Sequence, residues 1–562
     1  MRCINCGSIL FDRDQDERGG KRVDFIVGSG ARRYRYIFQM VAFRRPILIQ
    51  AILLFAFVGA SQVGASVPDA SGIEALIEGN RLPIRDGDLR IFYQQRSFAP
   101  AWTDADARLA RAMLAHADQD GLDPSDYAVR SGSSAAEDDI LLTEAVLSYA
   151  HDLRSGRPDL KAIDSDVDLP DTSQAAATAL AKALRSGDFT SFAAAWAPPQ
   201  VEYAKLKAAL AFYRGIADRG GWAPLPAGRP ADFADGTAGG TALRHRLGYE
   251  DAVLAADPNA SLSDAVMRFQ ARHGLELDGR VGIRTLAELN VAASARVMQI
   301  AANMERWRWL PRTFEANFIS VNVPDARLAL TLRGTQVLES RVVVGRPHDP
   351  TPILRVEGAG ITVNPSWNVP TSIARKEILP KLKANPNYLL SQDMILLNGP
   401  PGDPHGLHVN WRAVPNGTFP FRIQQHSGAK NALGTVKLEL PNRFDIYLHD
   451  SPGKAAFASN ARDVSHGCVR VEQILPLASY ALTANLDTMN EISDAVSAGE
   501  TRYFPLQQPL AVYFLYWTAF VGTDGTLQFR PDIYGRDRRI IEAFGRHDPV
   551  RVGTDLPNCR KT

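Results

Sequence analysis

The chain has 562 residues, too many for a single hydrophobic core, so about three to four domains are expected. Its composition, 45% apolar and 22% charged, is that of ordinary globular protein and excludes a chain that is disordered throughout. The formal net charge of +1 gives no electrostatic footprint for nucleic acid, and no apolar run beyond the N-terminal region reaches the length of a membrane span.

Residues 1–65 are predicted to be a leader and an export signal. Arg44 and Arg45 precede an apolar run at residues 47–60, and small residues follow, which is the pattern of a basic n-region, an h-region and a cleavage site. The alternative is an uncleaved anchor, through which the chain would stay tethered to a membrane. Met40 stands just before this pattern, so translation is predicted to begin there.

The chain has four cysteines, two near its start and two towards its end. Cys3 and Cys6 make a CxxC pair that could be half of a zinc knuckle, but no second half follows at metal-ligand spacing. An exported chain would keep Cys468 and Cys559, which could form a disulfide in an oxidising compartment. Because Cys559 lies in a polar tail and Cys468 in a Gly–His frame, a free thiol at Cys468 is favoured.

Residues 67–220 have the pattern of a helical region without visible chemistry, and they are interpreted as a scaffold domain. The stretch after Ser173 has an N-cap, good helix formers and a closing Gly187, and residues 118–124 form a turn between helices. The aromatic residues here are assigned to the core. A Gly/Pro-rich linker at residues 220–240 leads to the next unit.

Residues 241–292 are predicted to form a small three-helix module. A helix carrying Phe269 and Gln270 ends at Gly274, Asp278 opens a turn, and a closing helix begins near Thr285. The sequence pattern FQ…HGL…DGRVGIRT resembles the repeat of the peptidoglycan-binding module found beside cell-wall enzymes. The resemblance implies wall binding, and the alternative is a helical packing domain.

After about residue 297, apolar residues recur at every second position, as in β-strands. Residues 297–545 are therefore predicted to form a β-rich, mainly antiparallel domain. The expected strands cover residues 318–323, 328–332, 340–344 and 361–363. A long irregular insertion at residues 371–430, with a helix at 373–383, is predicted to be a lid or substrate clamp. The fold class is therefore multidomain α+β.

The chemistry is concentrated at residues 465–470, Ser-His-Gly-Cys-Val-Arg. A cysteine nucleophile needs a nearby base, because the thiolate is its reactive form. Gly467 would let a substrate carbonyl approach main-chain N–H donors. A helix predicted over residues 471–486 would place Cys468 near its N-terminus, where the helix dipole favours a thiolate.

A base is expected on the preceding strand. Residues 443–449 alternate between apolar and polar, so they are predicted to be a strand that presents Tyr447 and His449 on one side. His449 would emerge at the end of that strand with Tyr447 beneath it. This is a suitable place for a positioned general base.

The motif resembles the signature of the L,D-transpeptidase (YkuD) family, which is a histidine, about 15 residues, then S/T-H-G-C and an arginine. The matching residues are His449, Ser465, His466, Gly467, Cys468 and Arg470. The resemblance extends to the helical region, the wall-binding module, residues 431–434 and residues 516–537. It is closest to the large periplasmic subgroup of Gram-negative bacteria, which implies a periplasmic location.

The resemblance implies a catalytic domain in which Cys468 is the nucleophile and His449 the general base. Cys468 would attack the meso-diaminopimelate–D-Ala bond of a peptidoglycan stem, release D-Ala and hold a thioester. The side-chain amine of a second stem would resolve that thioester into a 3→3 cross-link. Donor and acceptor stems would be the partners, together with other wall-synthesis enzymes, and no cofactor or metal is expected.

The remaining motif residues are assigned supporting roles. Backbone N–H groups of Gly467 and Cys468 are the candidate oxyanion donors, with Ser465 in support. His466 is interpreted as either a direct participant or a stabiliser of the loop.

Three further residues flank the predicted base and nucleophile. Asp450 stands where many family members have glycine, and it would orient His449 through its carbonyl or its side chain. Tyr447 and Arg470 are expected to contact substrate. A structural ion pair is the alternative role for Arg470.

Other functions are compatible with the same residues. Water as acceptor would make an L,D-carboxypeptidase, and a lipoprotein lysine would make an anchoring transpeptidase. A non-enzymatic wall-binding scaffold would leave Cys468 inert. A zinc wall hydrolase would need three imidazole ligands, although no HExxH helix is present. Its candidate ligands are His405, His408, His426, His449 and His466.

Overall fold

The computed structural model describes residues 69–79, 87–157, 164–170, 176–257, 259–482 and 486–544. The predictions on the export signal, Met40, Cys3, Cys6, Ser173 and Cys559 lie outside these residues. None of the helices in the described ranges is long and apolar enough to cross a membrane.

The N-terminal region is helical, as the sequence predicts. Asp69, Thr103 and Ser134 each cap a helix, because their side-chain oxygens accept a hydrogen bond from an amide three residues on. The first six of the helices bury their apolar faces together, with Phe92 and Ile140 fully inaccessible. The helices are α1 Ala70–Glu78, α2 Gly87–Gln94, α3 Asp104–Ala115, α4 Ala135–Ser155, α5 Ala176–Ser186, α6 Phe189–Ala195 and α7 Val201–Asp218.

The small module is built around the side-chain amide of Gln270. Its Nε2 donates to Asp278 at 2.7 Å and to Thr285 at 3.2 Å, and its oxygen accepts from the Gly279 amide at 3.0 Å. The predicted turn is therefore tied to both helices that flank it. The module consists of α8 Ala238–Gly248, α9 Ala252–Ala256, α10 Leu262–Arg272 and α11 Ile283–Leu289.

The segment predicted as a linker is packed against this module. Trp222, Leu225 and Phe233 are buried, and the Trp222 ring N–H donates to the Val291 carbonyl at 3.0 Å. Helix α12, Ala293–Arg308, then continues into the β-rich domain. Because the guanidinium of Arg530 in that domain donates to the Arg272 carbonyl at 3.0 Å, the small module and the β-rich domain are in direct contact.

The C-terminal domain is a curled, mixed β-sheet, and most neighbouring strands in it are antiparallel. The strand order is β1-β5-β15-β2-β3-β4-β13-β11-β10-β6-β14, and β12 also pairs with β4. The pairs β1–β5, β15–β2, β11–β13 and β12–β4 are parallel. The strands are β1 Val167–Asp168, β2 Phe318–Asn322, β3 Arg327–Leu332, β4 Thr335–Gly345, β5 Ile353–Glu357, β6 Gly360–Val363, β10 Val436–Glu439, β11 Leu448–His449, β12 Asp463–Ser465, β13 Val469–Val471, β14 Arg502–Pro505 and β15 Ala511–Leu515.

One face of the sheet packs on helices, and a short hairpin lies beside it. Leu448, Val469 and Leu477 are fully buried in the shared core. The hairpin strands are β16 Ala519–Val521 and β17 Leu527–Phe529. The helices are α16 Ile474–Ala481, α17 Leu486–Ala498 and α18 Arg536–Phe544.

The insertion at residues 371–430 is not irregular, and that part of the prediction was wrong. Together with the strand just before it, it forms a three-stranded sheet in the order β7-β9-β8, and it has its own core, in which Trp411 and Leu382 are buried. Short strands separated by Gly/Pro turns hid this order in the sequence. The elements are β7 Trp367–Val369, α13 Thr371–Ile373, α14 Leu379–Ala384, α15 Tyr388–Ser391, β8 Met394–Leu396 and β9 Ile423–Gln425, with a π-helical turn at Ala374–Ile378.

The strand predicted at residues 443–449 is much shorter, since only β11 pairs with its neighbours. Asp445 has a φ of +54°, which extended backbone cannot adopt. The side-chain oxygen of Asn442 accepts from the amides of Phe444 and Ile446 at 2.9 and 3.2 Å. These bonds stabilise a turn where the alternation of residues indicated a strand.

Candidate active site

The nucleophile turn, residues 465–468, connects β12 to β13. The Ser465 hydroxyl donates to the Cys468 carbonyl at 2.6 Å and accepts from the Gly467 amide at 3.1 Å. Gly467 has a φ of +112°, and a Cβ there would lie 3.3 Å from Ile446 Cδ1. The backbone conformation therefore favours glycine at this position, and an added Cβ would require a small shift of the Ile446 side chain.

This turn bears on two of the predictions. The Gly467 N–H already donates to the Ser465 hydroxyl at 3.1 Å, so it would have to leave this partner to act as an oxyanion donor, and that role stays a prediction. Helix α16 begins only at Ile474, and Cys468 immediately precedes a strand instead. The expected help from a helix dipole is therefore missing, since that effect is confined to the first turn of a helix.

Strand pairing brings the predicted site residues together. β11 and β13 run parallel, with Leu448 opposite Val469 and His449 opposite Arg470. Because side chains alternate along a strand, the residues preceding these pairs, Tyr447 and Cys468, share a face with His449 and Arg470. Leu448 and Val469 point to the buried core.

The Cys468 thiol is free and partly buried. Its Sγ donates to the Asp445 carbonyl at 3.5 Å. Burial raises the pKa of this thiol. The Tyr447 hydroxyl, which donates to the sulfur, and the Lys437 ammonium both lower that pKa, but the effect of burial is larger. The resting nucleophile is therefore a neutral thiol.

His449 is also uncharged. It is 5% exposed, and burial, reinforced by the nearby Arg470 cation, lowers its pKa to about 3, although backbone groups of Asp450 and Leu433 oppose the shift. Its Nδ1 is buried and has no hydrogen-bond partner among the described residues. A neutral imidazole has one ring nitrogen with a free lone pair, and that nitrogen can accept a proton.

We expect the alkylation rate of Cys468 by iodoacetamide to rise with pH in a single step centred above the ordinary thiol pKa of about 8.5. The reason is that the thiol pKa is raised and that His449, with a pKa of about 3, cannot supply an imidazolium partner near neutral pH. The measurement is the pH-dependent labelling rate of the peptide that contains Cys468, read by mass spectrometry.

A Cys468→Ala variant gives the labelling background from other cysteines. A step below pH 7 would show a thiolate–imidazolium pair and would contradict the neutral resting state.

Tyr447 contacts the nucleophile more closely than its predicted role implied. Its hydroxyl donates to the Cys468 sulfur and accepts from the Trp367 ring N–H, and burial together with the thiolate charge raises the pKa of the phenol. The Lys437 ammonium lies 4.3 Å from the centre of the Tyr447 ring. The His449 ring packs edge-on at 5.5 Å.

Sequence reasoning missed Lys437 and Trp367. Lys437 lies opposite His449 in the β10–β11 pair, so it belongs to the same face. The alternation of apolar and charged residues in Val436–Glu439 indicated a strand with Lys437 on its polar face. Only the pairing of that strand with β11 shows that Lys437 lies next to His449. Trp367 is on β7, just before the insertion and far from Tyr447 in sequence, and it carried no signal.

Asp450 acts through the turn that precedes β10. Its carboxylate accepts from the amide and hydroxyl of Thr435 at 3.0 and 2.9 Å and pairs with Lys454. Gly434, with a φ of +66°, leaves no room for a Cβ beside Asp450. The side chain thus stabilises the turn that holds the Leu433 backbone near His449, while the Asp450 backbone itself lies near the ring.

His466 connects the nucleophile turn to the insertion. Its Nε2 contacts the Glu377 carboxylate, and Arg346 lies 3.2 Å from the same carboxylate. Glu377 belongs to the π-helical turn of the insertion. His466 therefore joins the nucleophile turn to the insertion, and its two suggested roles stay predictions.

Arg470 forms no ion pair with any residue that the structure describes, so the alternative of a structural ion pair has no support. Its side chain is partly buried, and burial lowers the pKa of its guanidinium, opposed by the Cys468 thiolate charge. The guanidinium is therefore a cation without an acidic partner, beside the nucleophile.

The five histidines counted for a zinc site lie in separate environments. No three His, Cys, Asp or Glu side chains within the described ranges are placed to hold a metal ion. His405 Nδ1 lies 2.9 Å from the Met394 carbonyl oxygen, and His466 is committed to Glu377.

Comparisons with known proteins identify three segments. Residues 316–498 match the family described as "L,D-transpeptidase catalytic domain", residues 245–289 match "Putative peptidoglycan binding domain", and residues 87–210 match "Scaffold domain". A curated relative from Haemophilus influenzae, named "Putative L,D-transpeptidase", is 34% identical over 253 residues, which are 45% of this chain. The chain spans 51%, about half, of that relative's length.

Solved structures add little. An L,D-transpeptidase from Mycobacterium smegmatis is 10% identical and covers 35% of this chain and 58% of its own, with a TM-score of 0.17. "Structure of LD transpeptidase LdtMt1 in complex with imipenem" is 11% identical with the same coverage and TM-score. Scores this low carry no argument about the fold, so the family matches decide. Residues 316–498 of this chain match the L,D-transpeptidase (YkuD) catalytic-domain family, and residues 245–289 match a peptidoglycan-binding domain.

Proposed function

We propose that this protein forms 3→3 cross-links in peptidoglycan through a thioester on Cys468, and that it does so in the periplasm. The observation that carries the proposal is the β11–β13 register, which places Tyr447, His449, Cys468 and Arg470 on one face. A nucleophile, a neutral base, a hydroxyl donor and an unpaired cation together suit acyl transfer from an anionic peptide.

In the first half-reaction the Cys468 thiol gives its proton to His449 as sulfur bonds to the carbonyl carbon of the donor stem. The carbon–nitrogen bond to D-Ala then breaks, and the D-Ala amine leaves with that proton. The thioester remains on Cys468. Because thiol and imidazole both start uncharged, this proton transfer must accompany the attack rather than precede it.

In the second half-reaction the side-chain amine of an acceptor diaminopimelate attacks the thioester carbonyl. His449 takes a proton from this amine, the new amide forms, and the carbon–sulfur bond breaks. The proton on His449 returns to sulfur and restores the neutral thiol. The same steps with water would give a tripeptide, and with a lipoprotein lysine an anchored lipoprotein.

Negative charge develops on the carbonyl oxygen in both steps, and two donors suit it. The Cys468 amide donates to no other group in the described parts of the chain, and the Tyr447 hydroxyl adjoins the sulfur. We expect Tyr447→Phe to lower kcat for D-Ala release by about 10- to 100-fold with KM changed less than about threefold, since an oxyanion donor acts in the transition state. Steady-state D-Ala release measures both constants.

Tyr503→Phe is the matched control, because Tyr503 is an exposed tyrosine on β14 whose hydroxyl donates to the Ala359 carbonyl. A Tyr447→Phe variant that keeps the wild-type kcat would remove Tyr447 from the proposed oxyanion site.

The proposed function is tested by mixing the purified protein with a disaccharide-tetrapeptide and analysing the products by mass spectrometry. A cross-linked dimer formed with loss of one D-Ala supports transpeptidation. Monomeric tripeptide alone would indicate that water is the acceptor, as in a carboxypeptidase. Unchanged tetrapeptide would contradict the catalytic proposal and leave a wall-binding protein.

A further inference from the structure

A five-residue segment of the N-terminal region, Asp164 to Asp168, contacts the catalytic domain on both sides of the nucleophile. Its strand β1 pairs in parallel with β5, with Val167 opposite Ile353. The Ile353 amide donates to the Asp166 carbonyl at 2.9 Å. A region interpreted as scaffold thus adds an edge strand to the catalytic sheet, and Val167 is buried in that sheet's core.

One set of contacts runs from this segment to the Gly467 carbonyl. The Arg536 Nε lies 2.7 Å from the Asp164 carboxylate, and both side chains are about 95% buried. The same guanidinium donates through Nη1 to the Thr351 carbonyl at 3.1 Å. The Thr351 hydroxyl donates to the Gly467 carbonyl at 2.7 Å, so this set ends at the residue before the nucleophile.

A second set of contacts runs to the turn that accepts the thiol hydrogen bond. The Arg443 guanidinium lies 3.1 Å from the Asp168 carboxylate and donates to the carbonyls of Ser165 and Val167 at 3.3 and 3.2 Å. Arg443 belongs to the turn whose Asp445 carbonyl accepts from Cys468 Sγ.

We propose that residues 164–168 are a positioning clamp for the nucleophile. The clamp holds the Gly467 side of the thiol through Arg536 and Thr351, and the Asp445 side through Arg443. In both sets of contacts a guanidinium group binds a carboxylate and main-chain carbonyls. The planar arrangement of its N–H donors fixes the direction of these contacts as well as their distance. Its role in catalysis rests on the proposed function, whereas its effect on thiol geometry does not.

The value of the clamp to the reaction lies in precision rather than in stability. The Arg443–Asp168 pair is half exposed on both sides, so its contribution to folding is small. A displacement of about 1 Å at a reacting group can reduce a rate by about 100-fold. A residue that matters little for the fold can therefore matter for the rate.

The test uses the whole protein with Arg443→Gln and Asp164→Asn. Each is expected to lower kcat for D-Ala release by roughly tenfold with KM changed less than about twofold, because the clamp orients the thiol and does not bind substrate. Arg443→Gln releases the turn whose Asp445 carbonyl accepts from the S–H group, so alkylation of Cys468 by iodoacetamide at pH 7 should be at least about threefold faster in that variant. The melting temperature of Arg443→Gln should fall by no more than about 2 °C.

Arg502→Gln is the matched control. Arg502 is 51% exposed, forms an ion pair at 2.9 Å and lies 4.8 Å from the centre of a phenylalanine ring. Arg443 is similar, because it is 56% exposed, forms an ion pair at 3.1 Å and lies 4.2 Å from such a ring. It lies on β14, at the opposite edge of the sheet from β1. Wild-type kinetics in this control would exclude a general effect of removing a surface arginine.

Wild-type kcat and wild-type alkylation in both clamp variants would overturn the proposal. So would a loss of kcat that follows the melting temperature and leaves the alkylation rate unchanged. If the wild-type protein released no D-Ala, the transpeptidase proposal would fail, but the alkylation rates of the variants would still decide whether the clamp positions the thiol.

Discussion

Cys468→Ala is expected to lower the rate of D-Ala release by roughly 10⁴- to 10⁶-fold, which is the largest effect of any single substitution in this chain. No other thiol lies in the described part of the chain, and removing a covalent nucleophile leaves only binding and oxyanion stabilisation. The measurement is the initial rate of D-Ala release from a disaccharide-tetrapeptide, with the cross-linked dimer followed by mass spectrometry.

The fold should tolerate this substitution, so the loss can be assigned to chemistry. Cys468 is only partly buried, and its backbone bonds to Ser465 do not involve the sulfur. The melting temperature and the binding to intact peptidoglycan are expected to equal those of the wild type. Retention of more than about a hundredth of the wild-type rate would mean that another group is the nucleophile.

His449→Gln is expected to lower kcat by about 10²- to 10⁴-fold, the range usual for loss of a general base. The effect should be large because a thiol with a raised pKa cannot ionise by itself near neutral pH, so attack depends on proton transfer to the ring. The measurement is kcat for D-Ala release between pH 5 and pH 9, with and without added imidazole.

The pH dependence of the wild type is part of the same prediction. With a pKa of about 3, His449 is already deprotonated at pH 5, so the wild-type profile should show no step near pH 6.5 that is lost in the variant. His408→Gln is the matched control, because that histidine is exposed in the insertion. More than a tenth of the wild-type kcat in His449→Gln would contradict its role as base.

The insertion at residues 371–430 has consequences for both predictions. The strand just before it, β7, supplies Trp367, which bonds to Tyr447, and its own π-helical turn supplies Glu377, which contacts His466. The insertion and β7 therefore reach both sides of the thiol, and the insertion has a hydrophobic core of its own. Its role as a lid stays a prediction, and these two contacts would have to change if the lid opened.

Much of this protein was determined by the local sequence. The alternation of apolar residues predicted the strands around residues 318–363, because such a pattern suits a pleated strand with one buried face. The motif that contains Cys468 identified the nucleophile, since few residue types can form a thioester and glycine is favoured beside it. His449 could be named as the base from its spacing to this motif.

The tertiary structure alone decided how these residues act. The turn at Asp445 and the late start of α16 follow from hydrogen bonds and packing that alternation and helical spacing do not record. The charge states of Cys468 and His449 depend on burial, which is a property of the assembled fold. The contact of Arg443 with Asp168 joins residues 275 positions apart in sequence, and that of Asp164 with Arg536 joins residues still farther apart; only the pairing of β1 with β5 brings such residues together.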